Sequence, residues 1–502
     1  MNIPAVLSRN ILPYLILAAL CVPLFFLNIN DKHVWGDDHA QYIKEALNIA
    51  EGKPYYQSDY VFNHLNPEYG PPQYPPGFPL LLAPVVKIWG ISYTHMISFI
   101  AFMLSCLVFI LFDYFKKYTG SVASAACLSL LCVYSGGVLE FKSAVLSDIP
   151  CWVFTALYIN LRSSGNFSRG RLALMILVAV MAILIRSQAM LIIAAEFGYI
   201  MVTITRNIIR NGRFDIMSAF RAPSFKLISG VLIVYIIVNK LIFAAPASSL
   251  SYYSNLFAYH QGSWLDSIGS NILYFHDLIT RIIHYYPNDK IAYATSKFAV
   301  YIITTFSIMG FLRYVKKRFG YEEVYYAATI ALVFVLSQHQ GVRFIIYILP
   351  IHMLYTYHTA KEFLLPLLNV KGKWLAIALT LLYLGLGFDE FKRAVHPDQA
   401  NLIPTDSEHI AFAYLRDNIA DQDVILFIKP RLLSLYTGKK AIVGAYHATT
   451  EENKALFDKV GVKYALISSK IDDGFTMNYI SNVQQPVDTT IIADGYYLYR
   501  LN

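Results

Sequence analysis

Long apolar blocks alternate with short polar stretches over the first 390 residues of the chain. A helix needs roughly 20 predominantly apolar residues to cross a bilayer, and several of these blocks are somewhat shorter, so their limits are approximate. The first block is too long for a signal-peptide core and lacks a small-residue cleavage site, so we expect it to remain as a span. We predict about eleven transmembrane helices, near residues 11–29, 94–112, 121–138, 149–161, 172–185, 189–205, 227–246, 295–312, 323–338, 344–360 and 373–388.

Basic side chains cluster in alternate short loops between these blocks, and the opposite short loops hold very few. Such an asymmetry places the basic loops in the cytoplasm. The first long loop (30–93), the loop near 247–294 and the C-terminus are therefore predicted to face outward. The cations on the predicted inward side are Lys116, Lys117, Arg162, Arg169, Arg171, Arg206, Arg210, Arg213, Arg221, Lys226, Arg313, Lys316, Lys317, Arg318, Lys361, Lys371 and Lys373.

The last hundred residues have the composition of a water-exposed domain. Helical and strand patterns alternate there, which is typical of a small α/β domain. We predict a membrane domain over 1–390, which includes the first loop at 30–93, and an outward α/β domain over 391–502. The predicted elements are helices at 407–419, capped by Asp406 or Ser407, after Pro430 and at 450–460, and strands at 424–428, 441–445, 464–468 and within 489–501.

The composition supports a polytopic α-helical membrane protein. Of the 502 residues, 56% are hydrophobic and 15% charged, whereas soluble proteins average ~45–50% and ~25%. An ordinary soluble enzyme is excluded. The net charge of +8 comes from clusters at the ends of apolar blocks, so we expect no nucleic-acid partner. The five cysteines lie in or beside apolar blocks without metal-ligand spacing, and they indicate no disulfide framework.

Two adjacent carboxylates, Asp37 and Asp38, follow the first span and precede an amphipathic helical pattern. A carboxylate pair at a membrane surface can bind a divalent cation, take a proton from a hydroxyl group, or cap the helix that follows. A third acid, Asp148, precedes Pro150 at the outward end of another apolar hairpin, so the predicted topology brings it to the same membrane face. It is either functional or a helix cap.

Two arginines complete this set of candidates. Arg186 stands between two apolar blocks at the outward interface, and Arg343 lies at the outward end of another hairpin. The planar guanidinium group binds phosphate through directed, charge-assisted hydrogen bonds. Each arginine alternatively anchors its helix at the interface by snorkelling, although this face carries few other cations.

Other polar groups give weaker signals. Histidines and tyrosines crowd the loop near 247–294, which suits either a lipid or sugar groove or an ordinary interfacial belt. In the C-terminal domain, Lys429-Pro430-Arg431 and Lys439-Lys440 either touch an anionic acceptor or form a solvated surface, and we favour the surface because no glycine-rich phosphate loop accompanies them.

Taken in order, these segments resemble the GT-C glycosyltransferases. The resemblance covers about residues 1–390 and rests on Gly36-Asp37-Asp38 before a helix with Tyr42, the turn Tyr74-Pro75-Pro76-Gly77-Phe78-Pro79, Ser147-Asp148-Ile149-Pro150, Arg186, and Arg343 leading into Leu349-Pro350. The resemblance is to the branch that contains the protein O-mannosyltransferases and the bacterial lipid A aminoarabinose transferase. It implies transfer of a sugar from a polyprenyl-phosphate carrier to an acceptor on the periplasmic face of the bacterial inner membrane.

The resemblance also implies roles for individual residues. Asp37 falls on the catalytic carboxylate, Asp38 on the second acid of the pair and Asp148 on the acid before a proline. Arg186 falls on a carrier-phosphate ligand, with Arg343, Tyr42 and Tyr74 as further substrate-binding candidates. A divalent cation such as Mg²⁺ or Mn²⁺, held by Asp38 and Asp148, remains an open alternative. Some branches carry a Glu-Lys pair before the proline turn, where this chain has Gln73-Tyr74.

The chemistry is consistent with this interpretation, since a sugar phosphodiester needs one carboxylate to activate the acceptor and cations to hold the departing phosphate. The sequence therefore predicts a membrane glycosyltransferase with a polyprenyl-phosphate-sugar donor and a lipid, glycan or protein acceptor. The alternative is a transporter or flippase of a lipid-linked glycan. That alternative would place charges near the membrane midplane and show inverted halves, and the sequence has neither feature.

Overall fold

The computed structural model describes residues 5–211, 222–242, 268–272, 274, 290–335, 341–368, 372–386, 392, 402–471, 473–482 and 486–501. Each of the predicted apolar blocks contains a helix. These are α1 (Ala5–Cys21), α4 (Tyr93–Thr119), α5 (Val122–Val133), α7 (Asp148–Arg162), α8 (Arg169–Ile185), α9 (Leu191–Asn211), α10 (Pro223–Ile237), α11 (Lys290–Lys317), α12 (Tyr321–Val335), α13 (Leu349–Leu368) and α14 (Gly372–Leu386).

Within the described ranges, three helices are long and apolar enough to cross a membrane: Tyr93–Thr119, Ser187–Ile209 and Pro223–Lys240. Shorter apolar helices lie at Ile11–Phe25, Gly77–Trp89 and Val122–Val133. The number of eleven spans therefore stays a prediction. The predicted span at 344–360 begins later than expected, because residues Gly341–Phe344 and Ile346–Ile348 form 3₁₀ turns before α13 starts at Leu349.

The chain forms two compact units, and the first comprises residues 1–29, 97–242 and 260–397. In its described part, α7 packs against α8, α9 against α12, α5 against α14, and α11 against α13. The last pair crosses closely at Gly310, where a Cβ atom would lie 2.7 Å from the backbone oxygen of Tyr355. Glycine at this position therefore permits the two helices to touch.

The second unit comprises residues 30–96, 243–259 and 398–502. Its core is a five-stranded mixed sheet in the order β2-β1-β3-β5-β4. The strands are β1 (Val424–Leu426), β2 (Lys440–Ile442), β3 (Val462–Ser468), β4 (Asp488–Ala493) and β5 (Tyr496–Arg500). Strands β2, β1 and β3 are parallel, and β5 pairs antiparallel with both β3 and β4.

Helices cover both faces of this sheet because successive residues of β1 point to opposite sides. Ile425 belongs to a buried cluster with α15 (Asp406–Asn418) and α16 (Pro430–Thr437). Val424 and Leu426 belong to a second cluster with α17 (Thr450–Val460) and α18 (Gly474–Asn482). The outcome is the α/β layering that the sequence pattern predicts, with a parallel core and an antiparallel edge.

The long first loop belongs to this second unit. It contains α2 (Asp38–Ala50) and the apolar α3 (Gly77–Trp89), which pack against each other. The backbone near Tyr60 lies alongside β2, where Val61 N–H donates to the oxygen of Ala441 at 2.8 Å. The side chain of Asn63 donates to the oxygen of Val443 at 2.7 Å. Residues 30–93, which the sequence analysis grouped with the membrane helices, are thus tied by hydrogen bonds to the C-terminal sheet.

Several local expectations for the C-terminal domain need correction. The N-cap of α15 is Thr405 and not Asp406 or Ser407, because Glu408 three positions on accepts the Thr405 N–H at 2.6 Å in a capping box. The sequence analysis also missed α18 and the short helix α6 (Gly136–Lys142) in the membrane part.

Candidate active site

Asp37 binds the start of a helix, but not the helix that follows it in sequence. Its Oδ2 accepts a hydrogen bond from the backbone N–H of Arg431 at 3.3 Å, and its Oδ1 accepts one from Leu432 at 3.0 Å. Both donors are in the first turn of α16, where backbone N–H groups lack partners within the helix. The alternative role of Asp37 as a cap of α2 is not supported, since its side chain makes no cap hydrogen bond there.

The side chain of Asp37 is only 8% exposed. Burial raises the pKa of its carboxyl group, and the positive charge of Arg431 together with the Leu432 amide counteracts that rise. Asp37 thus joins the first loop to the C-terminal domain through a buried, charge-assisted contact.

The largest correction to the sequence analysis concerns Arg431, for which a solvated surface position was favoured. It is 1% exposed and lies among the rings of Tyr60, Tyr69 and Tyr74, with its guanidinium carbon 4.8–5.7 Å from their centroids. Its Nη2 donates to the oxygen of Pro71 at 2.8 Å. Gly70, with φ +135°, makes room for it, because a Cβ atom there would meet Nη2.

Asp38 is the more accessible acid of the pair, with a side chain 36% exposed. Tyr74 donates its hydroxyl hydrogen to Asp38 Oδ1 at 2.7 Å, and Arg431 Nη1 lies 3.5 Å from the same oxygen. Arg431 Nη1 also donates to the Tyr74 hydroxyl at 3.1 Å. Tyr42 is 2% exposed and stacks on Tyr74 at 4.4 Å between centroids. We call Asp37, Asp38, Tyr74 and Arg431 the acidic cluster.

A further carboxyl group, Glu45, supports this cluster from α2 and was not singled out from the sequence. It is completely buried, and its Oε1 accepts from the backbone N–H of Tyr74 at 2.9 Å and from Gln41 Nε2 at 2.8 Å. Its other oxygen has no hydrogen-bond partner among the residues that the structure describes. Burial raises the pKa of Glu45 from 4.5 to about 8, so the group is mostly protonated at neutral pH.

This raised pKa predicts a pH-dependent stability. A carboxyl group whose pKa is higher in the folded state stabilises the fold fully below pH 4.5, and the contribution is lost as pH rises through about 8.

Glu45→Gln keeps the acceptor for Tyr74 and removes the ionisation. We expect the melting temperature of Glu45→Gln to equal that of the wild type at pH 4.5 and to exceed it increasingly up to pH 9, measured in detergent. Glu51→Gln, at an exposed acid just past the end of α2, is the control. A constant difference across this pH range would contradict the assignment.

Asp148, at the start of α7, lies between two arginines in the first unit. Its side chain is 0% exposed. Arg343 donates through Nε to Oδ1 and Oδ2 at 3.1 and 3.2 Å and through Nη2 to Oδ2 at 3.0 Å. Arg186 Nη1 lies 3.1 Å from Oδ1 and 3.4 Å from the hydroxyl oxygen of Ser147. We call Asp148, Arg186 and Arg343 the arginine cluster.

The local backbone explains how these three side chains meet. Arg186 is the residue at which α8 ends, with an extended backbone before the 3₁₀ turn Ser187–Met190. Arg343 is in the 3₁₀ turn before α13. Two guanidinium groups around one carboxylate leave one net positive charge, and their side chains are 12% and 18% exposed. Such a partly desolvated pair of planar donors is suited to binding a phosphate group.

Solved structures of other proteins share the architecture of this chain. ArnT from Cupriavidus metallidurans bound to undecaprenyl phosphate aligns over 97% of both chains with 10% identity and a TM-score of 0.57. The archaeal oligosaccharyltransferase AglB from Archaeoglobus fulgidus, in complex with an inhibitory peptide and a dolichol-phosphate, aligns over 92% of this chain and 70% of its own, with 10% identity and a TM-score of 0.54. These proteins are GT-C glycosyltransferases. This chain has the GT-C fold.

The arabinofuranosyltransferase AftD from Mycobacteria also shares the fold, with 12% identity and a TM-score of 0.55 over 98% of this chain and 41% of its own. The resemblance predicted from the sequence motifs is thereby confirmed at the level of the fold. No protein-family profile and no functionally characterised sequence matches the chain significantly.

The donor sets around Asp38 and Asp148 do not fit a divalent cation. Both oxygens of Asp148 face guanidinium groups, and Asp38 shares an oxygen with Tyr74 and Arg431. Cations so close to these oxygens repel a metal ion. In the described part of the chain, no three His, Cys, Asp or Glu side chains group as metal ligands. No step of the proposal below is therefore assigned to a metal.

The structure thus gathers the predicted residues into two groups, one in each unit: Asp37, Asp38, Tyr42 and Tyr74, and then Asp148, Arg186 and Arg343. The loop near 247–294, with its predicted tyrosine and histidine surface, falls mostly outside the described residues. Arg431 and Glu45 are the two site residues that the sequence analysis did not assign to the site. Pro430 at the first position of a short helix was the available signal for Arg431, because it marks a helix start that needs an acidic partner.

Proposed function

We propose that the protein is a membrane glycosyltransferase that moves a sugar from a polyprenyl-phosphate carrier to an acceptor hydroxyl or amine. The observation that carries the proposal is the arginine cluster, in which a fully buried Asp148 holds Arg186 and Arg343 in fixed orientations. The GT-C fold supports it. A transporter of lipid-linked glycans has no need for a separate carboxylate that is accessible and oriented, such as Asp38.

The donor phosphate is assigned to the arginine cluster. As the bond between the anomeric carbon and the phosphate oxygen breaks, its electron pair moves to the phosphate, which leaves on the carrier lipid. Arg186 and Arg343 bind the donor and stabilise the added negative charge. Asp148 is a positioning residue in this assignment, because it acts through the two arginines. The neighbours support a lipid phosphate as the ligand, since ArnT is bound to undecaprenyl phosphate and AglB to a dolichol-phosphate.

The acceptor is assigned to the acidic cluster. The acceptor heteroatom forms a bond to the anomeric carbon, and its proton passes to Asp38. The hydrogen bond from Tyr74 and the charge of Arg431 orient that carboxylate, as a second residue commonly orients a general base. The resemblance assigns the catalytic role to Asp37. We prefer Asp38, because both Asp37 oxygens already accept backbone hydrogen bonds and its side chain is buried.

The C-terminal domain is then part of the acceptor-activating machinery and not an independent appendage. It supplies Arg431 to the acidic cluster and receives Asp37 at the start of α16. We place this unit on the periplasmic face of the bacterial inner membrane. The support is the cation asymmetry of the short loops, which locates residues 30–93 and the C-terminus outside. The acceptor is accordingly an envelope glycolipid, glycan or protein.

Mass spectrometry of envelope glycolipids and glycoproteins from a deletion strain tests the function in the cell. We expect the deletion strain to lack one sugar residue mass on one class of acceptor. A plasmid with the wild-type gene should restore that mass, and one with the Asp38→Asn gene should not. An unchanged envelope, or full restoration by Asp38→Asn at equal protein level, would contradict the proposal.

A further inference from the structure

A basic cavity in the first unit is separate from the residues assigned above. Its volume is about 750 Å³, within the range typical of ligand pockets. Its lining residues come from α11, Arg318 just after it, and α13, and they include Gly310, where the two helices touch. Four cationic side chains line the cavity against a single acid; these are Arg313, Lys317, Arg318, Lys361 and Glu362.

The charges of these side chains are unequally compensated. Arg313 Nη1 pairs with Glu362 Oε2 at 2.6 Å. Arg318 interacts electrostatically with Glu322 and Glu323, which follow it at the start of α12. Neither Lys317 nor Lys361 forms an ion pair within the described residues. An anion in this cavity would therefore meet two uncompensated ammonium groups.

Two polar groups in the same wall also lack hydrogen-bond partners among the described residues. Thr359 is 1% exposed, lines the cavity, and its hydroxyl makes no hydrogen bond in the described part of the chain. The Nε2 atom of His358, the adjacent lining residue, is likewise without a partner. Buried polar atoms are nearly always hydrogen-bonded in native proteins, so two unsatisfied ones in a cavity wall indicate a ligand that bonds them.

The surroundings of the cavity identify the class of ligand. Phe363 on α13 is 40% exposed, and the centroid of its ring lies 4.8 Å from the guanidinium carbon of Arg313, which lines the cavity. Apolar surface thus adjoins the cationic cavity at Phe363, which suits a phosphate attached to acyl chains. Basic pockets between helices on the cytoplasmic side of membrane proteins bind anionic lipid headgroups.

The geometry points to a binding site for the phosphate group of an anionic membrane lipid in this cavity. The cavity lies at the membrane face that the loop cations predict to be cytoplasmic. Lys317 and Lys361 bind the phosphate, and the exposed side chain of Phe363 contacts the acyl chains. This site is opposite in predicted sidedness to the arginine cluster, and it needs no sugar donor.

The test uses the full-length protein in an uncharged detergent. Its ligands are dioctanoyl phosphatidylglycerol, dioctanoyl phosphatidylcholine and inorganic phosphate, and binding is followed by thermophoresis. We expect saturable binding of phosphatidylglycerol, weakened about tenfold or more by the double variant Lys317→Gln/Lys361→Gln, because each substitution removes a charge-assisted hydrogen bond to the phosphate. The variant Lys317→Arg/Lys361→Arg should keep the binding. Phosphatidylcholine, which has no net charge, should bind at least about tenfold more weakly.

The matched control is Lys116→Gln/Lys373→Gln, which removes the same charge from the same predicted face outside the cavity. Melting temperatures in the same detergent verify that each variant is folded. Equal binding of phosphatidylglycerol by both double variants, or of both lipids by the wild type, would overturn the site. If inorganic phosphate binds with the same sensitivity to Lys317 and Lys361 and the lipid does not, the phosphate site stands and its assignment to a lipid is wrong.

Discussion

Asp38→Asn is expected to abolish sugar transfer while the protein stays folded and inserted. Asparagine has the size of aspartate and keeps an acceptor for the Tyr74 hydroxyl, which lies 2.7 Å from Asp38 Oδ1. It cannot take a proton from the acceptor group. Loss of a general base typically lowers turnover on the order of 10²–10⁴-fold. The measurement is kcat of the purified variant with the polyprenyl-phosphate sugar.

Two further variants sharpen this prediction. Asp59→Asn makes the same substitution in the same loop at a partly exposed acid that pairs with Lys44 at 2.7 Å, and it should leave kcat unchanged. Asp37→Asn should lower the melting temperature, because it removes the charge that binds the first turn of α16 and leaves Arg431 less compensated. Wild-type turnover by Asp38→Asn, with loss of turnover in a stably folded Asp37→Asn protein, would return the catalytic role to Asp37.

Asp148→Asn is expected to weaken use of the donor, although it removes a negative charge from the neighbourhood of a phosphate. The carboxylate accepts the paired donors of Arg343 and faces Arg186 at 3.1 Å, so its loss frees both guanidinium groups to move. A misplaced charge-assisted donor costs roughly 1.5–3 kcal/mol. We therefore expect the donor KM to rise and kcat to fall, with kcat/KM reduced at least about tenfold.

The direction in which the donor KM changes in Asp148→Asn distinguishes two roles for Asp148. If the carboxylate only repelled the phosphate, Asp148→Asn would lower the donor KM. Arg343→Lys should reduce kcat/KM more than Arg186→Lys, because Arg343 uses two nitrogens on Asp148 and lysine cannot replace that fork. Asp113→Asn, at an acid that accepts from Tyr14 at 2.7 Å, is the matched control. A lower donor KM in Asp148→Asn would contradict the positioning role.

The sequence predicts the elements well where local pattern decides them. The helices coincide with the apolar blocks because the hydrocarbon core of a membrane imposes length and composition on each segment. In the C-terminal domain, the strand around Ile425 and the helix from Thr450 follow from periodicity and capping residues. Helix α18 was missed because it has only nine residues and no acidic residue in its first turn.

The contacts that could not be predicted from the sequence join residues far apart along the chain. That Arg186, Arg343 and Asp148 share a face follows from hairpin topology, but their mutual ion pairs depend on side-chain packing among α7, α8 and α13. Arg431 lies 394 positions from Asp37 along the chain. No local pattern relates two such residues, and the cost of burying an arginine favours the solvated interpretation until its partners are known. The aromatic rings of the first loop, which surround this guanidinium group, are what make its burial possible.

The most direct test follows the donor itself in a defined reaction. Purified protein is incubated with detergent-solubilised envelope from the deletion strain, which holds the unused donor and acceptor, and the lipids, glycans and proteins are analysed by mass spectrometry. We predict that one polyprenyl-phosphate sugar disappears and that free polyprenyl phosphate appears in equal amount. One acceptor should gain the mass of that sugar residue. The Asp38→Asn protein should produce none of these three changes. Persistence of the intact lipid-linked sugar with the wild-type protein, while the same protein in sealed vesicles moves it across the bilayer, would contradict glycosyl transfer and identify a flippase.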